Sequence, residues 1–96
     1  MTLEEIKNKI ENAVPGSTAH ILDPMHDGEH LQAFVISSAF DGKMLVQQHQ
    51  MVMKPLKEAF AESVHALSLK TFTPNKWNEV KDQYRINWIK EGEKNG

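Results

Sequence analysis

The chain predicts an α+β fold: a small three-stranded mixed sheet with helices gathered on one face, a two-layer sandwich in the order αββααβα. Three observations carry that prediction. Residues 2–13 and 43–62 repeat apolar side chains every three or four positions, the period of a helix with one buried stripe. Three short runs, 17–22, 31–38 and 64–72, are rich in apolar and β-branched residues and bounded by turn formers, which suits strands. A sheet of so few strands buries its apolar face only if helices cover it.

The elements follow in order. Thr2-x-x-Glu5 is a capping-box pattern, and Leu3, Ile6, Ile10 and Ala13 continue it as an amphipathic helix. Pro15-Gly16 stops that helix. Ser17 to Leu22 reads as the first strand, with Ala19 and Ile21 on one face. Asp23-Pro24-Met25-His26-Asp27-Gly28-Glu29-His30 is a loop by composition. Leu31 to Ser38 is the clearest strand, its centre Ala33-Phe34-Val35-Ile36 continuously apolar, and Asp41-Gly42 turns the chain after it. The 17–38 hairpin is antiparallel.

Within 43–62, Pro55 removes a backbone donor and crowds the preceding turn, so two helical pieces are expected, the second starting near Lys54. The strand at 64–72 leads into a helix from Pro74 to about Lys81, capped by Thr73 with Pro74 at the first helical position. That strand is expected parallel to one hairpin strand through a right-handed crossover. The segment 83–96 reads as a C-terminal extension, partly helical and then frayed, behind a single domain at 1–82.

Composition narrows the function. With 40% apolar residues and a mean hydropathy of -0.52, the chain is ordinary for a globular protein. No run approaches the roughly 18 apolar residues of a membrane span, and the charged start is unlike a secretory signal, so a cytoplasmic protein without membrane association is expected. Cysteine is absent, which rules out a disulfide scaffold and leaves His and carboxylates as this chain's metal donors. A net charge of -2 and a pI near 6.2 weigh against a dedicated nucleic-acid binder. No Ser-His-Asp or Cys-His set, carboxylate pair in an apolar setting or phosphate-cradling glycine loop stands out, so a binding role is expected rather than catalysis.

The feature that points to chemistry is Val64-His65-Ala66-Leu67-Ser68-Leu69-Lys70-Thr71-Phe72-Thr73-Pro74-x-x-Trp77, which sets a histidine at a strand entrance ahead of a proline-initiated helix. Taken alone, such a histidine is more often a packing residue than a ligand. Together with Gly28-Glu29-His30-Leu31-Gln32 and Phe40-Asp41-Gly42-Lys43, however, this stretch resembles the BolA family, and the Pro55-Leu56 step its small IbaG-like branch. The resemblance covers about Thr2 to Trp77.

It implies a KH-like fold of the class II type and a partner. BolA-like proteins pair with monothiol glutaredoxins, and the heterodimer shares a [2Fe–2S] cluster held by the glutaredoxin's cysteine, its glutathione and two ligands from the BolA-like chain. On this resemblance His65 is one ligand. The other comes from the loop between the first two strands, at or beside Asp27: His26, one residue out of register, with His30 as the alternative. Lys70, Thr73 and Pro74 are the expected partner-contact residues. No cofactor is expected to be held tightly by the chain alone, and homodimerisation is left open.

An alternative reading is a DNA-binding transcriptional regulator using the helical region 43–62, with Lys43, His49, Lys54 and Lys57 on its contact face. Against it, Gln48-His49-Gln50 stands where many family members carry Arg-His-Arg, which removes the strongest phosphate and guanine contacts. The methionines and valines of this region, Met44, Val46, Met51, Val52 and Met53, are read as core.

Overall fold

The computed structural model describes residues 2–27, 30–60 and 67–83, and the side chains of all of these but 59 and 60. Helix α1, Leu3–Ala13, is capped by Thr2, whose Oγ1 accepts the Glu5 N–H at 3.1 Å. It buries Ile6 and Ile10, and the chain leaves it through Gly16 at φ 65°, a left-handed turn that glycine adopts without strain. Strand β1, Thr18–Leu22, pairs antiparallel with β2, Leu31–Ile36, in the register Thr18↔Ile36 to Leu22↔Gln32. A 3-10 turn at Ser38–Phe40 follows, beginning where the second strand was expected to end.

Helix α2 runs unbroken over Leu45–Phe60 with Pro55 inside it, so the two pieces expected from the proline are one helix. Val52 and Leu56 bracket the proline and are both fully buried, and that packing outweighs the one lost helical bond. At its start the Gln47 side chain turns back to accept the Met44 N–H at 3.0 Å, half of a capping box. Strand β3, Leu67–Phe72, pairs parallel with β2 from Leu31↔Leu67 to Ile36↔Phe72. Residues 74–83 form helix α3, whose Lys76 N–H reaches the Thr73 hydroxyl as the sequence predicts.

The sheet order β1-β2-β3 makes the mixed three-stranded sheet that was expected. Helices α1 and α2 cover the face carrying Ala19, Leu31, Val35, Leu67 and Leu69, where Ile6, Ile10, Val14, Phe40, Val52 and Leu56 complete the core. Trp77, on α3, packs instead against the other face, on His20, Phe34 and Phe72. Pleating alternates side chains across a sheet, so Phe34 lies opposite Ala33 and Val35, and its apolar surface needs a cover of its own. Among the described residues no helix is long and apolar enough to cross a membrane.

Candidate functional site

The sheet register organises the candidate residues. Because β2 and β3 are parallel and pair from Leu31↔Leu67 onward, both strands begin at the same end of the sheet. His30 immediately precedes Leu31, and His65 stands two residues before Leu67, itself outside the described residues. Polar side chains build the loop that delivers β2. The Asp23 carboxylate accepts the Asp27 N–H at 3.2 Å, and the Asp23 carbonyl accepts the His26 N–H at 3.1 Å. His26 occupies the left-handed region at φ 55°, which is uncommon for a residue with a Cβ.

Asp27 then holds His30 twice. Its Oδ1 accepts the His30 N–H at 3.0 Å, and its Oδ2 lies 2.7 Å from His30 Nδ1. A carboxylate on one ring nitrogen is the arrangement that fixes a metal-binding imidazole's tautomer and orientation, with ligation through the other nitrogen. Asp27 thus orients the His30 ring as it would a metal ligand. Among the described residues no three His, Asp or Glu side chains converge on one point. With no cysteine in the chain, any thiolate would belong to a partner.

The predicted partner-contact residues lie along β3 and its exit: Lys70 is exposed at mid-strand, Thr73 caps α3, and Pro74 opens it, exposed. The residues of the alternative reading are spread along α2 and its approach. Lys43, Lys54 and Lys57 are exposed, whereas His49 is half-buried beside β3. Of the apolar residues read as core, Val52 is buried and Met51 and Met53 pack against the core; Met44 and Val46 are corrected to surface positions, at 65% and 56% exposure. Met44 directly precedes α2 and Val46 lies in its first turn.

Two features escape sequence reasoning. Gln48, noted in the sequence only for the arginine it replaces, is a clamp: Oε1 accepts the Thr71 hydroxyl at 2.6 Å while Nε2 donates to the carbonyls of Lys43 and Phe40 at 2.9 and 3.2 Å. His20 stacks on Trp77 with ring centroids 6.0 Å apart. Burial pushes this imidazole below its usual pKa, the nearby Lys7 ammonium adds to the effect, and Glu11 opposes it. No periodicity or motif announces either contact, since their partners are distant in sequence.

Comparison with known proteins agrees with this architecture. The family model described as BolA-like protein matches residues 2–76. The DNA-binding transcriptional regulator BolA of Escherichia coli is 27% identical over 89 residues, covering 85% of this chain and 85% of that protein. The structure of a bolA protein homologue from Coxiella burnetii superposes with a TM-score of 0.69 at 32% identity, over 81% of this chain and 97% of that one. The BolA domain of SufE1 from Arabidopsis thaliana does so with a TM-score of 0.63 at 30% identity, over 76% and 92%. With a family match across most of its length and the same strand and helix order, this chain belongs to the BolA family.

Proposed function

We propose that this protein docks on a monothiol glutaredoxin in the cytoplasm and completes a shared [2Fe–2S] site with two histidines, serving cluster assembly, trafficking or iron sensing. The observation that carries the reading is the parallel register of β2 and β3, which opens both strands at one end of the sheet just after His30 and His65. The Asp27 carboxylate on His30 Nδ1 supports His30 as the loop ligand, with His26 as the alternative. Lys70, Thr73 and Pro74, further along β3, would extend the contact with the partner. The glutaredoxin's cysteine and its glutathione would supply the thiolates this chain lacks. Histidine ligation raises a cluster's potential and makes it sensitive to pH, because imidazole binds only when neutral. Such a cluster is suited to being passed on.

The test is visible absorption and circular dichroism of the complex reconstituted anaerobically with glutaredoxin, glutathione, iron and sulfide. A [2Fe–2S] spectrum unlike that of glutaredoxin alone, lost or altered in His65→Ala and in His30→Ala but retained in His26→Ala, is expected. A spectrum identical to glutaredoxin alone would overturn the reading. Loss in His26→Ala but not in His30→Ala would keep the shared cluster and exchange its loop ligand.

A second reading draws on the name of the Escherichia coli relative: duplex DNA bound by α2 through Lys43, His49, Lys54 and Lys57. Affinity that persists near ~150 mM salt would support it. Gln48 counts against it, since its side chain is spent on Thr71, Lys43 and Phe40.

A further inference from the structure

The two edges of the sheet are finished differently. In a strand the N–H and C=O of alternate residues point to alternate sides. On β1 the outward set includes Ala19, and its N–H is taken at 2.9 Å by the carboxylate of Glu11, which also holds Lys7. Helix α1 thus caps one outward amide of that edge with a side chain of its own.

On β3 the Phe72 carbonyl accepts the Ser37 N–H at 3.0 Å, so Phe72, Lys70 and Ser68 turn their peptide groups toward β2. Leu69 and Thr71 therefore turn theirs outward. They open into a groove of about 280 Å³ lined by Leu69, Lys70, Thr71 and Phe72 of the strand and by Leu45 and His49 of α2. Where α1 gives β1 a carboxylate, α2 gives this edge a leucine and an imidazole. Leu45 is 62% exposed at the groove, and its chain neighbours Met44 and Val46 are exposed as well. Two-residue hydrogen-bonding periodicity, an apolar wall and an adjacent apolar surface are what an added strand requires.

Charge selects the occupant. The groove's ionisable lining groups are Lys70 and His49, and none of its lining residues is acidic. A β3 strand from a second copy, Leu-Ser-Leu-Lys-Thr-Phe, would bring another lysine and no acid to meet the first. A lysine on an edge strand is also the usual guard against self-pairing. Nucleic acid would answer the charge but not the peptide groups or the apolar wall. We propose that the edge of β3, unpaired by any strand among the described residues and roofed by Leu45 and His49, is a docking surface for an extended acidic segment of a protein partner, which joins the sheet as a fourth strand.

This surface shares only Lys70 with the glutaredoxin contact above and requires no cluster, so its test contains neither iron nor glutaredoxin. The probe is an N-acetylated, C-amidated heptapeptide alternating valine and glutamate, with a valine–lysine heptapeptide as control. Both are titrated into the ¹⁵N-labelled full chain while amide hydrogen exchange is read residue by residue. At about 1 mM acidic peptide, exchange at Leu69 and Thr71 should slow about tenfold, as a Kd near ~0.1 mM gives. The lysine peptide should leave both amides unchanged, and Lys70→Glu should reverse the preference. Leu45→Ser, at an exposed position, should weaken binding of the acidic peptide without altering the fold.

Four outcomes would overturn the proposal: no slowing, equal slowing by both peptides, protection centred on another element, or Leu69 and Thr71 already protected in the peptide-free protein. Protection that grows with protein concentration alone would assign the edge to a second copy. Protection by duplex DNA in place of the acidic peptide would assign it to nucleic acid.

Discussion

Replacing Gln48 with alanine should destabilise this protein by about 2 kcal/mol. The side chain makes three hydrogen bonds, from the Thr71 hydroxyl and to the carbonyls of Lys43 and Phe40. A neutral protein hydrogen bond contributes a net ~0.5–1.5 kcal/mol, which gives roughly 3 kcal/mol if the three were independent. They are not, because one amide makes them all, and water reaches the bond to Lys43, so about 2 kcal/mol is the better figure. For a domain of this size that lowers Tm by about 8–16 °C. Urea unfolding followed by circular dichroism should show a lower midpoint with an unchanged slope. A double-mutant cycle with Thr71→Val should return a coupling of about 1 kcal/mol, since that bond ties α2 to β3 across 23 residues of sequence. A loss below ~0.5 kcal/mol, or no coupling, would refute the clamp and return Gln48 to the status of a surface residue.

Two further predictions rest on buried polar groups. Ser37→Ala should cost about 2 kcal/mol by the same urea assay, because Ser37 is 1% exposed and its hydroxyl donates to the Pro15 carbonyl at 2.6 Å while accepting the Ala39 N–H at 3.0 Å, leaving both without that partner. Stability should also fall on acidification through the range below about pH 6.5, where the unfolded chain's histidine takes up a proton before His20 does in the fold. The sign follows from the lowered pKa: above that range both states are neutral and the stability is fully present, and below it the unfolded state binds more protons. Lys7 and Glu11 from α1 act on the His20 charge and the Trp77 ring stacks on it, and His20→Phe, which keeps the stack, should flatten this part of the pH profile. An unchanged profile in His20→Phe would show that another group sets the slope.

Local patterns made much of the fold legible. The Thr2-x-x-Glu5 box and the Ile6–Ile10 spacing locate α1, the apolar centre of β2 has no other reading, and Thr73-Pro74 marks the start of the last helix. Pro55 misled because a local rule competes with packing, and Val52 and Leu56 on either side are buried deeply enough to keep the helix whole. The exposure of Met44 and Val46 was illegible for a different reason. Periodicity finds an apolar stripe but not how much of its length the rest of the fold covers. At the candidate site, the histidines and the Asp27–His30 spacing of three residues were present in the sequence, and what the sequence lacked was register. Only the pairing Leu31↔Leu67 shows that the entrances of β2 and β3 coincide, and only the Ser37–Phe72 bond shows which peptide groups of β3 face outward.

Register also separates the two surfaces proposed for one strand. The groove begins at Leu69, two residue steps or about 7 Å along β3 from Leu67, and reaches Phe72 about 17 Å along it, so the strand entrance and the groove's far end are too far apart for one small ligand and close enough for one protein domain. A partner that engaged both would be held along the β3 edge even when no cluster bridged the histidines. Protonating or replacing the histidines would then release iron without releasing the partner. Replacing Lys70 would do the reverse, weakening the docking while leaving the histidines untouched. The two proposed surfaces are separable because a parallel strand offers its entrance and its edge in different directions, with His30 just ahead of the entrance and Lys70 exposed along the β3 edge.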